Sequence, residues 1–534
     1  MSIPRWLTFF LMVLLMTTAG TVSAQQQDQT PEALLEQLAD ASPRDTEAAI
    51  KAIATSGHER ARAWLEAYGN NRISQVEATG RIVIVLNNRG RDWEVADALT
   101  GENLGEMSRR DLDRIAINNA VRRQLAGVLA MLDLFAKDVA VREAAALDLL
   151  GKVDDAIVEE VTARIEEEPD AGVRNRLEEA LAIYQVEEQG SLDAIEVLSG
   201  SLHPRARAAL NSAVASEDPA RKAAAEQALA SIQQKLRLNN AAETLYFGLS
   251  LGSVLVLAAI GLAITFGVMG VINMAHGELI MLGAYTTWGM QQLLPGQPGL
   301  ALILSIPAGF LVAALAGIAI ERSVIQFLKG RPLETLLATF GVSLILQQLV
   351  RTVISPLNRT VVTPEWMSGS LVINDALSLT LNRMYVIGFA LLVFTALMLI
   401  MRRTRLGLEV RAVTQNRAMA RSMGIKATRV DIMTFALGSG VAGLAGVALS
   451  QLTNVGPNLG QNYIIDSFMV VVFGGVGNLW GTLVAGLTLG TINQLLEPWA
   501  GAVLAKIIVL VFIILFIQKR PKGLFPQKGR AAEG

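Results

Sequence analysis

Gly270-Val271-Ile272-Asn273-Met274-Ala275-His276-Gly277-Glu278-Leu279 puts an amide, an imidazole and a carboxylate within six positions, between two long apolar runs. Leu245–Met269 before it carry no charged side chain, and neither do Leu279–Ile320 after it. Runs of this length read as membrane-spanning helices, which need roughly 20 apolar residues each. A polar break between spans survives only where its freed backbone is buried in protein or lines a cavity. Ionisable groups at membrane depth are costly and mark functional positions. The stretch therefore predicts a polytopic helical membrane domain in an all-α protein, with Asn273, His276 and Glu278 on a substrate pathway.

Outward from this break, apolar segments fall near 245–268, 274–293, 300–320, 333–354, 383–401, 430–452, 463–477, 479–496 and 501–518. One polar segment, either 274–293 or the Gly-broken pair 463–477 and 479–496, is expected not to cross fully, which gives about eight spans. Basic residues set the orientation. Arg322, Lys329 and Arg331 fall in one loop, the Arg-rich segment 402–429 forms another, and Lys519, Arg520, Lys522, Lys528 and Arg530 end the chain. All are expected on the cytoplasmic side. Arg351, Arg359, Arg383 and Lys506 fall toward the other side.

The first 240 residues differ in kind. They hold 26 Lys and Arg against 37 Asp and Glu, whereas 241–534 hold 20 against 11, so an acidic region precedes a basic, apolar one. Arg5, the apolar core Trp6–Met16 and Val22-Ser23-Ala24 have the order of a secretory signal, predicting a signal peptide over 1–24 and a mature chain starting at Gln25. Residues 25–235 are then an extracytoplasmic helical domain, and 243–526 the membrane domain. Asp138-Val139-Ala140-Val141-Arg142 resembles Asp170-Ala171-Gly172-Val173-Arg174, and Asp218-Pro219-Ala220-Arg221 echoes both. Each Asp is placed to cap a helix, giving HEAT-like stacked helices at irregular spacing. Arg81–Leu86 is the one strand expected. His58 and His203 stand alone and predict no metal site, and the absence of cysteine excludes disulfides and thiolate ligands. Nothing reads as catalytic, and no nucleic-acid partner is expected.

Two further segments carry function. Gly438, Gly440, Gly443 and Gly446, and then Gly474, Gly475, Gly477 and Gly481, recur at spacings that let helices approach closely. Packing alone explains such patterns. A Gly-broken helix at mid-membrane, with Gly474, Gly475 and Gly477 on the substrate pathway, is the transporter-specific reading. Thr404–Thr428 combine Leu406, Val410, Val413, Met419 and Met423 with Arg411, Arg417 and Arg421 before a turn at Gly424. This predicts one short amphipathic cytoplasmic helix, which could instead lie on anionic lipid.

The membrane half is similar to the branched-chain amino-acid permease family of ABC importers. Ile272-Asn273-Met274-Ala275-His276-Gly277-Glu278, then Arg405-Leu406-Gly407 with Met423-Gly424-Ile425, then Gly474-Gly475-Val476-Gly477 through Gly481 carry the likeness in order. The N-terminal extension resembles that of the urea-transporting branch. The resemblance implies an importer permease in a bacterial inner membrane. It also implies a second homologous permease subunit, cytoplasmic ATP-binding subunits and an extracytoplasmic solute-binding protein as partners. Arg411, Arg417, Arg421 and Gly424 would couple the permease to the ATPase. The segment departs from the EAA signature of many ABC permeases, so that role rests on position and family likeness.

No Gly-x-x-x-x-Gly-Lys-[Ser/Thr] loop occurs, so ATP would be bound by partner subunits and no cofactor is expected in this chain. Urea would need a polar, largely uncharged lining, for which Asn273, Gln347, Gln348, Asn454, Asn493 and Gln494 are available. A branched-chain amino acid would need partners for a carboxylate and an ammonium. A secondary transporter or channel, and a membrane-anchored scaffold, are the other classes. Transport surviving ATP depletion would mark the first, and transport retained on deleting 25–235 would count against the second.

Overall fold

The computed structural model describes residues 30–525 except 42–44, 57, 89, 116 and 156. The signal-peptide reading of 1–24 lies outside the described residues. The chain divides into two compact units at Gln233/Gln234.

In the first unit, α1 (Pro31–Asp40), α2 (Thr46–Thr55) and α3 (Ala61–Gly69) bury Leu34, Leu38, Ile50, Ile53, Trp64 and Leu65 in one core. A five-stranded antiparallel sheet follows: β1 (Ile73–Val76), β2 (Ile82–Asn87), β3 (Asp92–Asp97), β4 (Asn103–Ser108) and β5 (Leu112–Arg114), in the order β4-β3-β2-β1-β5. The all-α expectation is corrected here, since four more strands join the expected one. Trp93 and Val95 alternate inward with Val83 and Val85, and left-handed Gly80, Gly90 and Gly101 make the connections. The sheet is built of hairpins. Its strands are too short and polar to show strong periodicity, but the recurring glycine turns are a hairpin signal.

Helices follow: α4 (Asn119–Asp133), α5 (Val139–Asp148), α6 (Val158–Glu167), α7 (Ala171–Tyr184), α8 (Leu192–Leu198), α9 (Pro204–Val214) and α10 (Pro219–Met269). The repeated aspartates do cap them: Asp138 accepts from Ala140 N at 3.0 Å, Asp170 from Gly172 N at 2.8 Å and Asp218 from Ala220 N at 2.9 Å. Arg142, the arginine of the first repeat, has a structural role. Buried, it pairs with the buried Glu168 at 3.0 Å and donates to the carbonyls of Ala136 and Lys137, tying α5 to the turn before α7.

The second unit takes up α10 from Gln234 and adds α11 (His276–Leu293), α12 (Pro298–Ser323), α13 (Pro332–Val353), the hairpin β6 (Ser370–Asn374) and β7 (Leu377–Thr380), α14 (Leu381–Arg403), α15 (Arg405–Gln415), α16 (Arg417–Ser422), α17 (Ala427–Ser450), α18 (Leu459–Gly474) and α19 (Leu479–Lys519). Six helices among the described residues are long and apolar enough to cross a membrane.

One of the six, α19, is a hairpin of two arms. Gly501, at φ 77° and ψ 159°, breaks it just after Pro498. Its second arm returns: Val509 and Ile513 pack with Ala485 and Leu489, and the Phe516 ring lies 4.8 Å from that of Phe473. Counting the two arms, the segment 270–293 and the shorter α18, the chain passes nine times between the two ends of this unit. Eight passes would bring both termini of the unit to one end, because an even number always does. Nine separates them.

Candidate functional site

The break after α10 is an extended polar segment inside the bundle. Gly270, at φ 67°, ends the helix in a conformation that glycine adopts without strain. Asn273 is 1 % exposed and its Oδ1 accepts from Ala275 N at 3.0 Å. Thr339 of α13 accepts from Met274 N at 3.1 Å. His276 is buried, its Nε2 donating to Ala258 O at 2.9 Å, midway along the apolar run of α10. So α11 starts part-way through the bundle, and 270–275 supply the rest of that pass.

Glu278 faces α13. Its Oε1 accepts from Ser343 Oγ at 2.9 Å and from Gln347 Nε2 at 2.7 Å. Among the described residues, its Oε2 and the Asn273 Nδ2 are buried without partners, one acceptor and one donor left open at the same break. Such groups are costly to bury unpaired, and they are the atoms a polar solute or a conformational change would satisfy. Replacing Asn273 by Leu is expected to cut uptake at least tenfold, as it removes both the acceptor for Ala275 N and the free donor. Glu278→Gln keeps the shape and is expected to weaken uptake only several-fold. Uptake at wild-type rate by a well-expressed Asn273→Leu chain would remove the break from the pathway.

The second glycine cluster lies at another junction, the turn between α18 and α19. Gly474 abuts Gly481, Gly477 abuts Gly267 of α10, and Gly475 at φ 103° meets the backbone of Phe525. Leu524 N donates to Phe473 O at 2.9 Å, holding the C-terminal segment against the turn. These glycines seal helix contacts at one end of the bundle.

At that same end, 404–428 form an elbow and not the single helix expected. Asn416, at φ −152° and ψ 100°, separates α15 from α16 and caps the latter by accepting from Met419 N at 2.9 Å. Val410, Val413 and Ala420 face inward, leaving Leu408, Met419 and Met423 exposed. Arg411 donates to Met401 O. Gly424, at φ 89°, turns the chain beside a cationic cleft of about 690 Å³ lined by Arg322, Arg421, Lys426 and Arg429.

Arg417 reaches back to Asp431 on α17. Lys329 sits 2.6 Å from the same carboxylate and 3.4 Å from Glu321 of α12. Both carboxylates are fully buried, whereas the cations are about one-third exposed, so this cluster clamps the elbow to two core helices.

At the far end, a cavity of about 510 Å³ opens between α10, α18 and α19. Asn454 and Asn493 line it, together with the ion pair Lys506–Asp466 at 3.0 Å. Of the other amides considered, Gln347 holds Glu278, Gln348 is exposed and donates to Thr352 on its own helix, and Gln494 is half-buried.

A many-pass helical bundle with a polar break in its interior and a cationic elbow at one end defines a membrane transport subunit. The chain belongs to the family described as branched-chain amino acid transport system / permease component, whose model matches residues 244–517. It is 29% identical over 292 residues to the high-affinity branched-chain amino acid transport system permease protein LivH of Salmonella typhimurium, covering 53% of this chain and 94% of that one. BraD of Pseudomonas aeruginosa, described in the same words, is 29% identical over 290 residues, covering 52% and 93%. The ribose import permease protein RbsC of Escherichia coli is 28% identical over 229 residues, covering 40% and 70%. No solved structure matches the chain.

Proposed function

We propose that this chain is a permease subunit of an ATP-driven importer in a bacterial inner membrane, with nine spans, its elbow in the cytoplasm and its first unit exported. The elbow carries this reading. A short two-helix segment with exposed Leu408, Met419 and Met423 and a basic rim has the shape and chemistry to dock in a groove of an ATP-binding subunit. Arg411, Arg417, Arg421 and Gly424 then pass the movement of that subunit to α17. A second homologous permease and an extracytoplasmic solute-binding protein complete the assembly, as is general for importers of this kind. The basic elbow and tail agree with a cytoplasmic placement.

For the solute, the names of the relatives favour a branched-chain amino acid over urea. One observation keeps urea as a second reading: the relatives are accounted for almost entirely by about half of this chain, so its first unit goes beyond them. Labelled leucine and labelled urea uptake, each with the other as competitor and with ATP depleted, tests both. Uptake that survives ATP depletion would refute the importer.

A further inference from the structure

The cavity at the far end of the second unit is built for a ligand. Asn493 is 8 % exposed, and its Oδ1, buried at the wall, has no hydrogen-bond partner among the described residues. Three further amides, Asn358, Asn454 and Asn462, share the lining, with the Asp466–Lys506 pair among them. Asp466 follows Ile464 and Ile465 in α18, and Lys506 precedes Ile507 and Ile508 in the second arm of α19, so both charges interrupt apolar helices. Charges in such segments face a bundle interior or a watery cavity and mark solute or ion pathways. The pair uses one of three ammonium donors and one of two carboxylate oxygens, leaving capacity on both sides. Glu497, exposed at the lip, adds a negative charge that disfavours anions.

We propose that this cavity is a solute-binding stop within the permease, for a small molecule of no net charge that carries N–H donors and a carbonyl or carboxylate oxygen. Its N–H groups bond to Asn493 Oδ1 and Asp466, and its oxygen to Lys506. Urea and a zwitterionic amino acid share this chemistry, and Leu251, Leu255 and Leu459 in the lining give an aliphatic side chain a place to lie. The proposal rests on the importer reading and names its solute class.

The test is uptake of labelled urea and labelled leucine by cells that make the full chain with its partner subunits and lack other uptake routes. Asn493→Leu and Lys506→Met are each expected to lower the maximal rate for the carried solute at least tenfold at equal membrane levels. Asn493→Asp, which keeps an acceptor, is expected to retain most of it. Should Asn493→Leu fail to reach the membrane, Asn493→Ala empties the position without crowding it and is held to the same expectation. A wild-type chain that carries one solute, with Asn493 and Lys506 variants within twofold of it, overturns the cavity while leaving the importer standing. A wild-type chain that carries neither solute overturns both.

Discussion

Lys329→Met is expected to reduce the folded, membrane-inserted protein severely, and adding Glu321→Gln is expected to restore much of it. Glu321 and Asp431 are both fully buried, and neither oxygen of Glu321 has a hydrogen bond. Lys329, at 3.4 Å, is the ion-pair partner found for Glu321 among the described residues. Removing one member of a buried pair costs about 3–5 kcal/mol, mostly because the other charge is left uncompensated in a low-dielectric interior. Here the stranded group is a fully buried carboxylate. The reverse change is milder. Asp431→Asn leaves Lys329 its ion pair with Glu321 and strands Arg417, which at about one-third exposure can turn to solvent. The order of damage should therefore be Lys329→Met first, Asp431→Asn second, and the Lys329→Met/Glu321→Gln double between Asp431→Asn and wild type. Thermal unfolding of the purified chain reads this order, and a double-mutant cycle isolates the Lys329–Glu321 coupling. A Lys329→Met chain that melts with wild type would show the cluster to be ornamental. Arg417→Met separates clamping from folding: it frees the elbow but leaves Lys329 in place, so uptake per ATP hydrolysed should fall more than stability does.

Much of this was legible in sequence, and the reasons differ by element. The polar break announced itself because Asn273, His276 and Glu278 stand between charge-free runs, where any polar residue is conspicuous. Its partners did not. Ser343, Gln347 and Thr339 lie on α13, more than 60 positions away, and only the bundle brings them to the break. The clamp was invisible for the same reason, since Lys329 and Asp431 lie 102 positions apart. The elbow was missed although a local signal existed: Asn416 is a good N-cap, and a cap inside a supposed helix marks a new start. The sheet was underread because β1 and β5 are four and three residues long, below the length at which alternation can be counted. Gly474, Gly475 and Gly477 lie in a helix turn that no periodicity marks: two of them have positive φ, and Gly474 meets the backbone of Gly481 in the next helix.

Gly446→Ala is expected to prevent stable assembly of the membrane bundle, even though alanine is the better helix former. In α17 a Cβ at Gly446 would lie 2.6 Å from Ala284 N and 2.9 Å from Ile280 C, both backbone atoms of α11. One at Gly443 would lie 2.7 Å from the Ala313 Cβ and 3.0 Å from Gly309 C of α12. One at Gly283 of α11 would meet the Cα and carbonyl carbon of Gly443 at 2.6 Å. Three helices thus touch backbone to backbone along one glycine seam, the arrangement by which helices associate where lipid supplies no hydrophobic drive. Replacing a helical glycine by alanine gains roughly 0.8–1.0 kcal/mol of helix propensity. Overpacking a tight contact costs about 1–3 kcal/mol when side chains can adjust, and more when rigid backbones must separate. The clash wins at the seam. It has no purchase at Gly341 of α13 or Gly388 of α14, where an added Cβ meets nothing within 4 Å. Gly341→Ala and Gly388→Ala should therefore match or exceed wild-type stability, while Gly446→Ala and Gly443→Ala melt well below it or fail to accumulate. Membrane levels by immunoblot and melting of detergent-purified chains measure the contrast. If all four variants behave alike, the close helix approach does not hold the bundle together.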